Sequence, residues 1–321
     1  MNFTVAIPTY NGAKRLPALL EALQKQTGVD HITWEILVID NNSQDETAQV
    51  IHHYQQHWSS PMPLRSSLEP QQGAAFARQR AMREAQGEWV AFLDDDVWPA
   101  PNWLAESDRF SQLHPRMGAF SGKIEGHYEI EPPSGFAQIR QFLAIRDHGN
   151  EPCLFQPAKL QLPPAASLVV RRQAWLDHVP PQPKLTGKLP GLLIQGDDYE
   201  PLLFLFKQGW EIWYCPTLRV AHQIPAERFE RSYLLTLAQG CGLATYSLQC
   251  IITPRWKRPF LLVRMVLGNA RRLVKHYIHY RQKINHELVA GCYWAFYRGS
   301  LLSPFVMFYQ RKHKTHRSGA D

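Results

Sequence analysis

Three short apolar runs, residues 3–8 (FTVAIP), 34–40 (WEILVID) and 88–94 (EWVAFLD), each end at a proline or an aspartate. Continuous apolar runs of this length read as strands buried on both faces, as in parallel sheets. The segments between them carry helical periodicity. Leu16, Leu19, Leu20 and Leu23 share one stripe over residues 14–26, where Pro17 is tolerable only in a first turn. Ser43 followed by Glu46 predicts a capping box that opens a second helix. Ala74, Ala77, Ala81 and Ala85 predict a small-residue face on a third, over residues 73–86. Strand and helix in alternation predict an α/β fold with a mostly parallel sheet and helices on both faces, whose ligands bind beyond the carboxyl ends of the strands. Pro8, Asp40 and Asp94 fall at those ends.

The third run passes directly into Asp94, Asp95 and Asp96. Two carboxylates about 4 Å apart repel by roughly 4 kcal/mol at an effective dielectric near 20, so the triplet requires a positive partner. No GxGxxG follows the first strand and no GxxxxGK[ST] occurs, which argues against a dinucleotide dehydrogenase or a P-loop enzyme. A hydrolase GxSxG elbow is also missing. Phosphate, if bound, is expected to be held through a metal.

Charge is unevenly spread. Residues 253–321 hold fourteen Lys and Arg against Glu287 and Asp321, a net +12, and since the whole chain is +7, residues 1–252 carry −5. The chain is therefore expected to comprise a catalytic domain over residues 1–225 and a helical, basic region over 226–321. The five cysteines form no CxxC pair, which fits a reducing, cytoplasmic setting. The opening residues do not read as a secretory signal.

Five motifs follow one another in order: IPTYNG at 7–12, DNNSQDET at 40–47, GAAFARQRA at 73–81, FLDDD at 92–96 and GDDYE at 196–200. Together, over about residues 3–225, they resemble the nucleotide-sugar-dependent glycosyltransferases of family 2, which have the GT-A fold. The resemblance implies that Pro8, Tyr10, Asp40 and Arg78 contact the nucleotide, with Gln79 departing from the family's ARN triplet. It implies a DxD reading of the aspartates, in which Asp96 holds a divalent metal and Asp94 and Asp95 hold ribose and metal-bound water. Hard carboxylate oxygens suit Mg²⁺ or Mn²⁺. GDDYE resembles the family's GED motif, which makes Asp198 the general base, and His222 matches a histidine near the metal or diphosphate. An Asp at this position also suits a helix start.

The expected activity is an inverting transfer from a nucleotide-sugar donor to a saccharide or lipid-linked saccharide, in cell-surface polysaccharide synthesis. Two other classes fit the residues less well. DDDV also matches the DxDx[TV] signature of haloacid dehalogenase-like phosphatases, but that family places its nucleophile after the first strand. A nucleic-acid binder using the basic tail leaves the acidic motifs unexplained, so no nucleic-acid partner is expected. Specificity is expected within residues 120–195, with PPAASLVVRRQAW as a donor-side wall and the Pro-rich residues 179–191 as a mobile loop. QGCGLATYS at 239–247 reads as close helix packing. In the tail, residues 271–288 are expected to form one basic amphipathic helix, with Leu273, Tyr277, Ile284 and Leu288 on a stripe facing an anionic membrane. Residues 288–309 are apolar apart from Arg298, yet that Arg and Pro304 argue against a clean span. The expected location is peripheral, at the cytoplasmic face of the membrane.

Overall fold

The structure, a computed structural model, describes residues 1–185, 188–189 and 192–317. The chain divides into two compact units, Met1–Glu129 with Ala144–Thr186 and Asp197–Ile224, and Ile130–Leu143 with Gly187–Gly196 and Pro225–Asp321. The second unit thus takes in two stretches that lie, in sequence, inside the span expected to be catalytic.

The first unit is built on β1 (Phe3–Thr9), α1 (Leu16–Gln24), β2 (Trp34–Asp40), α2 (Thr47–His57), β3 (Leu64–Leu68), α3 (Ala74–Glu84) and β4 (Trp89–Leu93). There follow β5 (Val97–Pro99), α4 (Trp103–Ser111), β6 (Met117–Tyr128), β7 (Cys153–Leu154), β8 (Ser167–Arg171) and α5 (Arg172–His178). Past the two-residue strands β9 (Lys188–Leu189) and β10 (Leu192–Leu193), which pair with each other in the second unit, come α6 (Tyr199–Lys207) and β11 (Glu211–Ile224). The main sheet runs β3-β2-β1-β4-β8-β6-β11-β5, with β7 also paired to β11. Its two longest ladders, β1 with β2 and β6 with β11, are parallel. β8 runs antiparallel between β4 and β6. Within PPAASLVVRRQAW, expected as a donor-side wall, Leu168, Val169 and Val170 are buried in this central strand.

The register aligns the strand ends. Thr9 pairs with Asp40, Ala6 with Phe92 and His222 with Val97, so the segments after β1, β2 and β4 and the end of β11 converge on one edge. Beneath them, Leu16, Leu19, Leu20 and Leu23 of α1 are all fully buried, each contributing roughly 1.5–3 kcal/mol. On α3 the buried residues include Ala77, Arg78, Gln79 and Ala81, while Ala74 is exposed, so the packed face is not the plain alanine stripe expected.

The second unit carries α7 (Arg231–Ile252), α8 (Arg258–Tyr280) and α9 (Leu288–Arg317). α7 and α9 approach at glycines: a Cβ on Gly242 would sit 2.3 Å from the Phe296 carbonyl oxygen, and one on Gly299 would sit 2.4 Å from that of Gln239. This is the close packing expected of QGCGLATYS. Residues 271–288 are not one helix, because α8 stops at Tyr280 and turns bridge to α9. Within residues 288–306, Ala290, Cys292, Ser300 and Ser303 are buried, and Ser303 Oγ accepts the Tyr246 N–H of α7 at 2.7 Å. No described helix is long and apolar enough to cross a membrane.

Candidate active site

IPTYNG and DNNSQDET clasp one another. The Asn11 N–H donates to Ser43 Oγ at 2.9 Å, Asn11 Oδ1 accepts the Gln44 N–H at 2.8 Å, and the Gly12 N–H donates to Thr47 Oγ1 at 2.9 Å. Asn11 and Asn42 have φ of 50° and 62°, a left-handed conformation that asparagine tolerates better than most residues. Ser43 is thus committed to the neighbouring loop, and its N–H donates to Asp40 Oδ1 at 3.0 Å. The capping box does not form, and α2 begins at Thr47, whose N–H donates to Asp45 Oδ1 at 3.0 Å. Asn41 ties the end of β2 to α3, its Nδ2 donating to the Gln71 carbonyl oxygen at 2.7 Å and its Oδ1 accepting the Gly73 N–H at 2.7 Å. Pro8 lies on β1 opposite Ile39, and Tyr10 is exposed on the loop beyond.

Each aspartate of the triplet has its own basic neighbour, an arginine for Asp94 and Asp95 and a histidine for Asp96. Asp95 forms a two-pronged pair with Arg15, Nε to Oδ1 at 2.8 Å and Nη2 to Oδ2 at 3.0 Å, and also accepts the Thr9 hydroxyl. Asp94 lies 3.7 Å from Arg78 Nη2, and Asp96 lies 3.4 Å from His222 Nε2. The positive partner demanded by the sequence is therefore supplied in large part by the chain itself. Asp95, expected with Asp94 to hold ribose and metal-bound water, has both oxygens engaged by the β1–α1 segment and fastens that segment to the end of β4. Burial raises the Asp94 carboxyl above its ordinary value against the pull of Arg78, and repulsion from Asp96 adds to the rise.

Arg78 joins the two acidic motifs, since its Nη1 also donates to Asp197 Oδ2 at 2.9 Å. Its Nε is buried without a hydrogen-bond partner among the described residues. Asp198 occupies the N-cap position of α6, but no side-chain hydrogen bond caps the helix. Burial, followed by repulsion from Asp197, pushes the Asp198 carboxyl up to about 7, against Arg78 and Arg146. Two carboxylates in sequence are thus split into an ion-paired member and one that titrates near neutrality, the separation that marks acid–base sites. Gln79, where the family motif differs, braces α3 against its surroundings. It donates to the Pro180 carbonyl oxygen at 2.9 Å and accepts the Trp175 indole N–H at 3.2 Å. Of the stretch expected to be a mobile loop, residues 186, 187, 190 and 191 lie outside the described residues. Residues 184 and 185 are held by Glu200, whose Oε2 accepts both their N–H groups at 3.0 and 2.8 Å.

The chemistry of the edge suits a divalent ion. Two adjacent ligands of an octahedral ion with bonds of 2.0–2.1 Å sit roughly 3 Å apart, near the 3.4 Å between Asp96 Oδ2 and His222 Nε2. No group of three or more His, Cys, Asp or Glu able to hold a metal occurs among the described residues, so an ion here would share its shell with substrate oxygens.

Residues 4–107, which run from β1 through the triplet into α4, match the sequence family Glycosyl transferase family 2. Mannosyltransferase PcManGT from Pyrobaculum calidifontis, solved with GDP-Man and Mn²⁺, superposes with a TM-score of 0.57 at 17% identity, covering 94% of this chain and 86% of that one. The chain carries a family 2 glycosyltransferase domain of the GT-A fold. The Staphylococcus aureus poly(ribitol-phosphate) beta-N-acetylglucosaminyltransferase TarS is 32% identical over 115 residues, 36% of this chain. Its 1–349 fragment superposes with a TM-score of 0.52 at 16% identity, covering 94% and 91% of the two chains. Glycosyltransferase AglE of Haloferax volcanii is 26% identical over 196 residues, 61% of this chain. The chain matches only 19% of the length of TarS and 58% of AglE.

The family match stops before GDDYE and His222, and motif reasoning singled out both. It missed Arg15 and Arg146, which lie at sequence distances where no local pattern connects them to their carboxylates.

Proposed function

We propose that this GT-A domain transfers a sugar from a nucleoside-diphosphate donor to a hydroxyl of a saccharide or lipid-linked saccharide, with inversion at the anomeric carbon. The observation that carries the reading is Arg78 standing between Asp94 and Asp197, which brings FLDDD and GDDYE to one place. Asp40 and Arg78 contact the nucleotide together with Pro8 and Tyr10, and Asp94 faces its ribose. Asp198 takes the proton of the acceptor hydroxyl as that oxygen bonds to the anomeric carbon. The bond from that carbon to the diphosphate breaks, and the nucleoside diphosphate departs with the electron pair. A carboxylate titrating near 7 is half deprotonated at neutral pH and still basic enough to share the proton in the transition state. Asp96 and His222 would hold Mg²⁺ or Mn²⁺, which when bound screens the charge of the leaving diphosphate. In the same reading the first unit is catalytic, the second carries the basic helices, and the chain works at the cytoplasmic face of a membrane.

Support comes from the family match over residues 4–107 and from relatives whose names describe such transfers, among them the E. coli UDP-Glc:alpha-D-GlcNAc-diphosphoundecaprenol beta-1,3-glucosyltransferase WfgD, 35% identical over 98 residues. A dehalogenase-like phosphatase would need its nucleophile at the end of β1, where Pro8 and Thr9 stand. The deciding experiment screens nucleotide sugars with Mn²⁺ and follows the products. Release of UDP, GDP or dTDP that depends on an acceptor supports transfer, whereas release of orthophosphate alone overturns it.

A further inference from the structure

α8 has two faces. Leu261, Met265, Asn269 and His276 recur at steps of four, four and seven and turn inward. Leu261 packs in a cluster with Tyr246 and Cys250 of α7, Asn269 donates to the Ser300 carbonyl oxygen at 3.2 Å, and His276 Nε2 lies 2.9 Å from the Ala290 carbonyl oxygen. The opposite face is apolar as well. Trp256, in the turn leading into the helix, then Phe260, Val263, Leu267, Val274 and Ile278 recur at steps of three, four and seven, and they are 69, 72, 57, 66, 56 and 72% exposed. A helix resting on its own protein and otherwise in water shows polar residues on its outer face. Here six large side chains form a strip about 33 Å long, from the 1.5 Å rise per residue.

Charge indicates what covers the strip. Residues 255–283 hold nine Lys and Arg and not one Asp or Glu. Arg264, Arg271 and Lys275 are exposed along its margin, and Arg255 and Lys257 flank Trp256. A second copy of the chain laid on this face would bring those cations against their own kind, whereas an anionic bilayer offers acyl chains to the strip and phosphates to its margin. We infer that the outer face of α8, from Trp256 to Ile278, lies in the plane of an anionic membrane interface. The surface differs from residues 271–288, where the linear pattern placed it, because that stretch is broken by turns after Tyr280 and α9 starts only at Leu288. The inference specifies the membrane-side location proposed above, and its test reads binding, so it stands or falls apart from sugar transfer.

The full chain is sedimented with phosphatidylcholine vesicles, with and without phosphatidylglycerol, at low and high salt. Binding is expected only with phosphatidylglycerol and should weaken as salt rises. Phe260→Ser with Leu267→Ser should weaken it about tenfold or more, and Arg264→Gln with Arg271→Gln should abolish the preference for phosphatidylglycerol. All four side chains are exposed, so circular dichroism and acceptor-free donor turnover should match the parent chain. The inference is overturned if the parent chain stays unbound at low salt or if the serine variant binds as well as the parent. It is equally overturned if the parent is a dimer that this variant converts to monomer without any vesicle binding.

Discussion

The guanidinium of Arg78 donates to Asp197 at 2.9 Å across 119 residues of chain, and both side chains are almost wholly buried. Removing one partner of such a pair leaves an uncompensated charge, at a cost of about 3–5 kcal/mol. Arg78→Gln should therefore lower the melting temperature. It should also move the acid limb of the pH–rate profile upward, because Arg78 holds down the Asp198 carboxyl. Arg78→Lys keeps the charge but loses the fork, and should recover only part of each effect. A profile that does not move would separate Arg78 from the base.

As the proposed base, Asp198 should govern the pH response. With its carboxyl pushed up to about 7, transfer should rise through neutrality and level off above it. Asp198→Asn should lose transfer by roughly 10² or more while retaining donor binding. The effect on stability has the opposite sign. A carboxyl whose folded value is raised binds its proton more tightly when folded, so stability falls as pH rises from about 4 through about 7. Melting temperatures of Asp198→Asn should accordingly exceed the parent's at pH 8 and approach them at pH 4, which thermal scans at the two values will check.

Asp95 and Asp96 are adjacent and should behave differently. EDTA should abolish transfer and Mn²⁺ or Mg²⁺ restore it, while Asp96→Ala should remain inactive with any ion added. Asp95→Asn should instead weaken the Arg15 and Thr9 contacts, costing about 1–3 kcal/mol, with the metal requirement unchanged. Activity titrations against Mn²⁺, paired with melting curves, tell the two roles apart.

Gly12 gives a steric version of the same test. A Cβ there would lie 2.1 Å from Thr9 Oγ1 and 2.5 Å from Asp95 Oδ2. Gly12→Ala should force the Thr9–Asp95 contact apart and reproduce the instability of Asp95→Asn, and the double variant should be less destabilised than the sum of the two.

Strands β1, β2 and β4 are legible to within a residue because burial on both faces leaves mostly apolar side chains, the buried Glu35 of β2 being met by Thr4 and Arg65. Their ends are legible because a proline or an aspartate closes each run. The start of α2 is not, since Ser43 had two possible partners and the neighbouring loop, 32 residues away, took it. The reversed strand β8 has the same apolar composition as a parallel one, and direction leaves no trace in composition. Asp94, Asp96, Asp198 and His222 were visible as acids or imidazole in ordered motifs. Arg78 was visible as a motif residue but not as an ion-pair partner of Asp94 and Asp197, and Arg15 and Arg146 were not visible at all, because an ion pair formed by folding has no sequence spacing of its own.

The long reach of these pairs also fixes an order in time. A ribosome adding about 5–20 residues per second presents Arg78 roughly 6–24 s before Asp197 exists. For the part of that interval before residues 167–171 are made, β4 lacks β8, its neighbour in the finished sheet, and the edge strand it exposes is the one that leads into three aspartates. Charge at the end of an exposed edge disfavours pairing with a foreign strand, so the three aspartates, costly to gather in the finished sheet, should make β4 a poorer template before its own partner is made.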